Sequence, residues 1–170
     1  MMLVVFRGLP GTGKSYIARQ VLQRRPEFLV LSRDDLRRSI VPRPDFGAQE
    51  KGLIDDMIVS MADLLLSRGR SVLIDGMALS SAARVGQFAR AAKEHGASCR
   101  IVECTCSQET ALARLRQDAG AHPAGDRGEK LYFAVKASFQ PIEEPFLLVD
   151  TDRDPEDNLR IVLSRIESRT

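Results

Sequence analysis

The sequence predicts an α/β fold: a five-stranded parallel sheet with helices on both faces and a small helical lid. Three observations predict it. Short apolar runs of strand length alternate with longer helical patterns from end to end. A glycine-rich stretch, Gly8-Leu9-Pro10-Gly11-Thr12-Gly13-Lys14-Ser15, joins the first apolar run to the first helical pattern. Carboxylates stand just beyond several of the apolar runs, where an open parallel sheet binds its ligands. The 170 residues suffice for one full core and are short for two, so residues 1–170 are read as a single domain.

The glycine-rich stretch has the P-loop spacing G-x-x-x-x-G-K-[ST] in the strand–loop–helix setting that the motif requires. The glycines let backbone N–H groups turn onto phosphate oxygens, and the helix N-terminus adds partial positive charge. A P-loop NTPase fold follows. Gly8, Leu9, Pro10, Gly11, Thr12, Gly13, Lys14, Ser15 and Tyr16 are the expected nucleotide contacts. Lys14 should reach the β- and γ-phosphates, and Ser15 should hold Mg²⁺. No N-K-x-D base-recognition motif of GTPases occurs, which favours ATP.

Hydrophobic content of 44% and charged content of 28% are those of an ordinary globular chain. A net charge of +2 neither demands nor excludes a nucleic-acid partner. No apolar run reaches the ~20 residues that span a bilayer, and Leu3–Phe6 is too short for a signal-peptide core. A cytoplasmic location is expected. Cys99, Cys104 and Cys106 are odd in number and lack a second ligand pair, so they read as thiols around a core strand rather than a zinc site.

The elements follow in order. Leu3–Phe6 reads as the first strand, then a helix to Arg24-Arg25, where Pro26 ends the pattern. Phe28–Leu31 is the second strand, expected beside the first, and Ser32–Asp34 can cap a short helix. Val41–Gly47 is a proline-broken loop. Ala48–Arg68 is helical, with Leu53, Met57, Met61, Leu64 and Leu65 as its apolar stripe. Ser71–Ile74 is a third strand closing on Asp75-Gly76. Ser80 or Ser81 caps a helix running to about His95 and Gly96. Cys99–Cys104 is the fourth strand and Glu109–Ala119 a helix. Residues 120–128 form a flexible, glycine-containing connection, and 129–137 a shorter helix. Phe146–Val149 is the fifth strand, and Asp154 with Pro155 opens the last helix.

The strand ends select the chemistry. Asp34 is the candidate general base: a carboxylate beside a phosphate site can accept the proton of a hydroxyl attacking the γ-phosphate. Asp34 and Asp35 are equally what a helix cap needs. Asp75 follows Val72-Leu73-Ile74 as an acid follows an apolar strand in a metal-holding site, although Asp-Gly also makes turns. Ser15, Asp34 and Asp75 are thus the candidate metal ligands, and Asp75 can also orient the acceptor. Arg37 lies one helical turn beyond Asp34 and could grip an acidic acceptor, or lie on a solvated surface. Phosphoryl transfer needs positive charge near the transferred group, and Arg114, Arg116 and Arg127 flank the 120–128 connection. Arg114 and Arg116 are the candidate catalytic arginines, or a polar helix face. His95 and His122 are given no catalytic role.

Gly8–Ser15, then Leu31-Ser32-Arg33-Asp34-Asp35-Leu36-Arg37-Arg38-Ser39-Ile40, then Val72-Leu73-Ile74-Asp75, resemble the kinase domain of the polynucleotide 5′-kinases. More broadly the chain is similar to the zeta-toxin-like and AAA_33 P-loop kinases over most of its length. The resemblance implies that Asp34 acts as general base on a 5′-hydroxyl and that Arg37 contacts the acceptor's phosphate. It implies that Lys14 and Ser15 hold ATP phosphates and Mg²⁺, and that Asp75 belongs to an acceptor-side motif. Asp75-Gly76-Met77-Ala78 departs from the family's polar run at this position. The expected function is an ATP-dependent kinase acting on a polynucleotide 5′-OH. A kinase of a small metabolite, sugar or antibiotic is the alternative, favoured by the scarce aromatics and apolar Met77-Ala78-Leu79. An ATP-hydrolysing switch or assembly factor is a third reading.

Overall fold

The computed structural model describes residues 1–118 and 128–168. In chain order these form β1 (Met2–Arg7), α1 (Lys14–Arg24), β2 (Leu29–Ser32), α2 (Arg33–Ile40), α3 (Ala48–Ser67), β3 (Val72–Asp75), α4 (Ala82–Glu94), β4 (Ser98–Thr105), α5 (Gln108–Asp118), α6 (Glu129–Ala137), β5 (Phe146–Asp150) and α7 (Pro155–Glu167). The strands make one all-parallel sheet in the order β2-β3-β1-β4-β5. The connection before Gly128, with His122 and Arg127, lies outside the described residues.

The apolar runs are continuous rather than alternating because both faces of the sheet are covered. Leu3, Val5, Val72 and Ile74 pack on Ile54, Ile58, Ala62 and Leu66 of α3 and on Val85 and Phe88 of α4. Val4, Phe6, Leu73, Val102 and Cys104 face the opposite way, onto Ile17, Ala18 and Val21 of α1 and Leu159, Val162 and Ile166 of α7. A smaller cluster of Ala111, Leu112, Leu115 and Tyr132 joins α5 to α6. Among the described residues no helix is long and apolar enough to cross a membrane.

Three features differ from the sequence reading. The second strand does not lie beside the first: β3 sits between them. Val72, Leu73 and Ile74 are fully buried, whereas Val30 of β2 is half exposed, so β3 suits the interior slot and β2 the edge. The α3 stripe is also different. Ile54, Ile58, Ala62 and Leu66 are buried, while Leu53, Met61 and Leu64 face outward. The apolar arc of α3 is wider than the fold covers, and the helical period alone does not say which part meets the sheet. Finally, neither Ser80 nor Ser81 caps α4 with its side chain. Ser81 is the N-cap, but the Ala82 amide donates to Gln140 Oε1 at 2.9 Å, from 58 residues away. Ser32 and Asp154 do cap α2 and α7 as expected, at Asp35 N and at Glu156 N and Asp157 N.

Candidate active site

The P-loop leaves β1 at Arg7 and turns into α1 at Gly13, whose φ of 75° is the left-handed region that glycine adopts freely. No side chain caps α1 and no acid occupies its first turn, so its leading N–H groups are open to an anion. The loop is closely packed from behind. A Cβ at Gly8 would stand 2.3 Å from the Cys104 carbonyl oxygen, and one at Gly11 would stand 2.4 Å from that of Ala111. Thr12 is buried and braces the loop by donating to Leu9 O at 2.7 Å, and Lys14 Nζ donates to the same oxygen at 2.9 Å. Pro10, Gly11, Gly13, Lys14, Ser15 and Tyr16 line a cleft of about 1440 Å³; Gly8, Leu9 and Thr12 form the support beneath.

The register of the sheet brings the acids to this loop. Val5 of β1 pairs with Ile74, so Asp75 emerges beside the start of the P-loop. Ser15 donates to Asp75 Oδ1 at 2.9 Å. Ser32 pairs with Asp75 across β2 and β3, which sets Asp34 at the same end of the sheet. The Asp75-Gly76 turn packs on the start of α2: a Cβ on Gly76, at φ +76°, would be 3.1 Å from Arg33 N. Asp34 and Asp75 both line the cleft with Lys14 and Ser15. Ser15 Oγ and the Asp75 and Asp34 carboxylates are hard oxygen donors. That set fits Mg²⁺, which takes one or two carboxylates plus substrate phosphates rather than an all-protein cage.

Arg37 is placed otherwise than a solvated arginine. It is 6% exposed, its Nε donates to Glu50 Oε1 at 2.6 Å, and Nη1 stands 3.6 Å from Asp34 Oδ1. The Phe46 ring lies against its guanidinium at 5.2 Å. Glu50 in turn accepts from Asp45 N and Phe46 N, fixing the loop before α3.

The arginines of α5 separate. Arg114 reaches the donor side, bonding Thr151 Oγ1 and Thr151 O at 2.9 Å each and Gly11 O at 3.4 Å. It ties the P-loop to the end of β5. Arg116 points outward, 71% exposed, 3.9 Å from Glu129, and does not line the cleft.

Sequence reasoning missed Glu50 and Gln140, and it places Asp150-Thr151-Asp152 at a ligand-binding strand end without giving Thr151 a role. Gln140 donates from its N–H to Ser80 O at 2.8 Å and accepts from Arg7 Nη2 at 2.9 Å through its carbonyl. Arg7 is fully buried, 3.2 Å from Glu103, and stacks on Phe139 at 4.3 Å. Burial lowers its pKa, against the opposing pull of Glu103 and Glu144. Gly8 N donates to Ala78 O, so the 76–81 loop is held at Ala78 and at Ser80. These are contacts between segments distant in sequence, for which no local pattern exists.

Residues 3–142 match the AAA_33 family model, described as an AAA domain. No curated protein matches the chain. Solved structures with similar folds include the Mycobacterium tuberculosis APS kinase CysC, in complex with AMPPNP and APS, at 22% identity and a TM-score of 0.68, covering 98% of each chain. A gluconokinase from Sinorhizobium meliloti 1021 shares 14% identity with a TM-score of 0.68, over 97% of this chain and 91% of that one. Kti12 of Chaetomium thermophilum, in complex with ADP-AlF3, shares 16% identity with a TM-score of 0.67, over 98% of this chain and all of that one. The chain belongs to the AAA_33 family, and its architecture is that of the P-loop kinases.

Proposed function

We propose that the protein transfers the γ-phosphate of ATP to a hydroxyl of a small-molecule acceptor. The observation that carries this reading is the meeting of Asp34 with Lys14, Ser15 and Asp75 in one cleft, beside an Arg37 already enclosed by Glu50 and Phe46. The P-loop amides and Lys14 bind and orient the β- and γ-phosphates. Ser15 and Asp75, with Asp34 in the same cleft, would hold Mg²⁺, which would supply charge neutralisation. Asp34 orients the acceptor hydroxyl and takes its proton as the oxygen attacks phosphorus in line and ADP leaves. Arg114, anchored at Thr151 and Gly11, supports the donor side of the transfer. The APS kinase and gluconokinase among the similar folds support a small acceptor. A cytoplasmic location suits an ATP-using enzyme with free thiols.

A polynucleotide 5′-OH is the second reading, favoured by Arg33, Arg37 and Arg38 on α2. Against it, the only aromatic side chains lining the cleft among the described residues are Tyr16 and Phe46, and Phe46 is covered by Arg37. Single-strand binders stack successive bases on aromatic side chains. The test is ATP-dependent label transfer to a metabolite panel and to 5′-OH oligonucleotides in parallel. Transfer to a small hydroxyl compound is expected. Transfer to oligonucleotides alone would replace this reading with the second.

A further inference from the structure

The acceptor side of the cleft, built from α2, α3, the 76–81 loop and α4, is lined by five cations: Arg33, Arg37, Arg38, Lys51 and Arg84. Carboxylates already neutralise four of them. Arg33 stands 3.5 Å from Asp55, Arg37 2.6 Å from Glu50, Arg84 2.7 Å from Asp56, and Arg38 pairs with Asp35. Lys51 is the exception: among the described residues its ammonium has no carboxylate and no hydrogen-bond partner.

A second observation points to the same wall. Arg37, 6% exposed, keeps Nη2 buried with no acceptor. Such a group is costly to leave unsatisfied. Arg37 and Lys51 both line this cleft, and Glu50, which takes Arg37 Nε, precedes Lys51 in the chain. Phe46, which also lines the wall, holds a left-handed φ of 56° over Arg37. Strain of this kind collects at ligand clamps.

We propose that Lys51 forms an anion subsite with Arg37 Nη2, and that the acceptor is a small hydroxylated compound bearing one carboxylate or phosphate monoester. Lys51 Nζ binds the anion, and a small shift of Phe46 lets a second oxygen of the anion supply Arg37 Nη2 with its missing acceptor. Asp34 and Arg37 are one helical turn apart, with 3.6 Å between Oδ1 and Nη1. The reacting hydroxyl and the anion therefore lie a few bonds apart on the acceptor. A single unpaired cation suits a single anionic group. A polynucleotide backbone would call for several.

The inference rests on the small-molecule kinase reading, and the experiment separates the two. Acceptor-dependent ADP release is measured for glycerate and glycerol 3-phosphate, each against glycerol, and for gluconate against sorbitol. The carboxylate and phosphate arms distinguish the two anion types. In the wild-type protein at least one charged compound should exceed its neutral twin at least tenfold in kcat/KM. Lys51→Met should shrink that ratio at least tenfold, mainly through KM, and Lys51→Arg should restore most of it. The subsite is refuted by an unchanged ratio in Lys51→Met, by equal use of charged and neutral twins, or by no use of any charged compound. Turnover of neutral hydroxyl compounds with no charge preference refutes the subsite but leaves the kinase reading standing. Phosphate transfer to no hydroxyl compound at all refutes that reading as well.

Discussion

Arg37 sits where a surface arginine is usually cheap to remove, one turn into a short helix, yet here it is an enclosed ion. Its partner Glu50 has a side chain only 10% exposed and also holds the backbone of Asp45 and Phe46. Removing one member of a buried pair leaves the other charge without compensation. Arg37→Ala should therefore cost about 3 kcal/mol, read as a lowered urea midpoint at unchanged m-value, whereas Arg38→Ala on the exposed side of the same helix should stay within about 0.5 kcal/mol. The thiols give a second expectation at this scale. Burial pushes Cys104 up to about 12 and Cys99 up to about 11. Both are therefore thiols, not thiolates, throughout the neutral range, and their thiolate fraction rises only as pH climbs toward those values. Iodoacetamide at pH 8 should leave Cys99 and Cys104 unmodified in the folded protein and modify both in urea; rapid labelling of folded Cys104 would contradict the packing described.

At the scale of elements, α3 and the P-loop carry the tests. Ile58 is fully buried against the sheet and Leu64 is 54% exposed on the same helix. Ile58→Ala should cost roughly 2–5 kcal/mol, and Leu64→Ala about 0.5 kcal/mol or less. The reverse ranking would restore the stripe that the sequence suggests. The P-loop glycines are equally decisive. Gly11 has φ +80° and no room for a Cβ beside Ala111 O. Gly11→Ala should displace the loop from α5 and lower ATP-analogue affinity at least tenfold, checked by titration with a fluorescent nucleotide. Gly52, which would meet nothing within 4 Å, gives the contrasting case, and Gly52→Ala should raise helix stability by about 0.5–1 kcal/mol.

For the molecule as a whole, what the sequence reveals depends on how local the cause is. The P-loop, the five strands, the caps at Ser32 and Asp154 and the acids at strand ends are all short-range patterns, and the structure has each of them in place. The order β2-β3-β1-β4-β5 is not local, because it depends on which strand the crossover helices leave room for. Arg37 is readable as an arginine one turn from Asp34, but its enclosure depends on Glu50 and Phe46, brought over by the proline-broken loop. Arg114 and Arg116 look alike in sequence, two residues apart on one helix. Only the position of Thr151 across β4 and β5 separates the anchored one from the exposed one. Gln140 has no sequence signature, yet it joins Arg7, Ser80 and the start of α4. Gln140→Leu should loosen that junction, seen as faster hydrogen exchange at the Ala82 amide, with a stability loss of about 1 kcal/mol.

The central claim is that Asp34 serves the acceptor while the P-loop serves the donor. The most direct measurement is γ-phosphate transfer by Asp34→Asn beside ATP-analogue affinity of the same variant. A near-isosteric amide cannot take the hydroxyl proton, so transfer should fall by about 10²–10⁴-fold while nucleotide affinity stays within about threefold. Transfer at the wild-type rate in Asp34→Asn would contradict the account, and so would a loss of nucleotide binding that matches the loss of transfer.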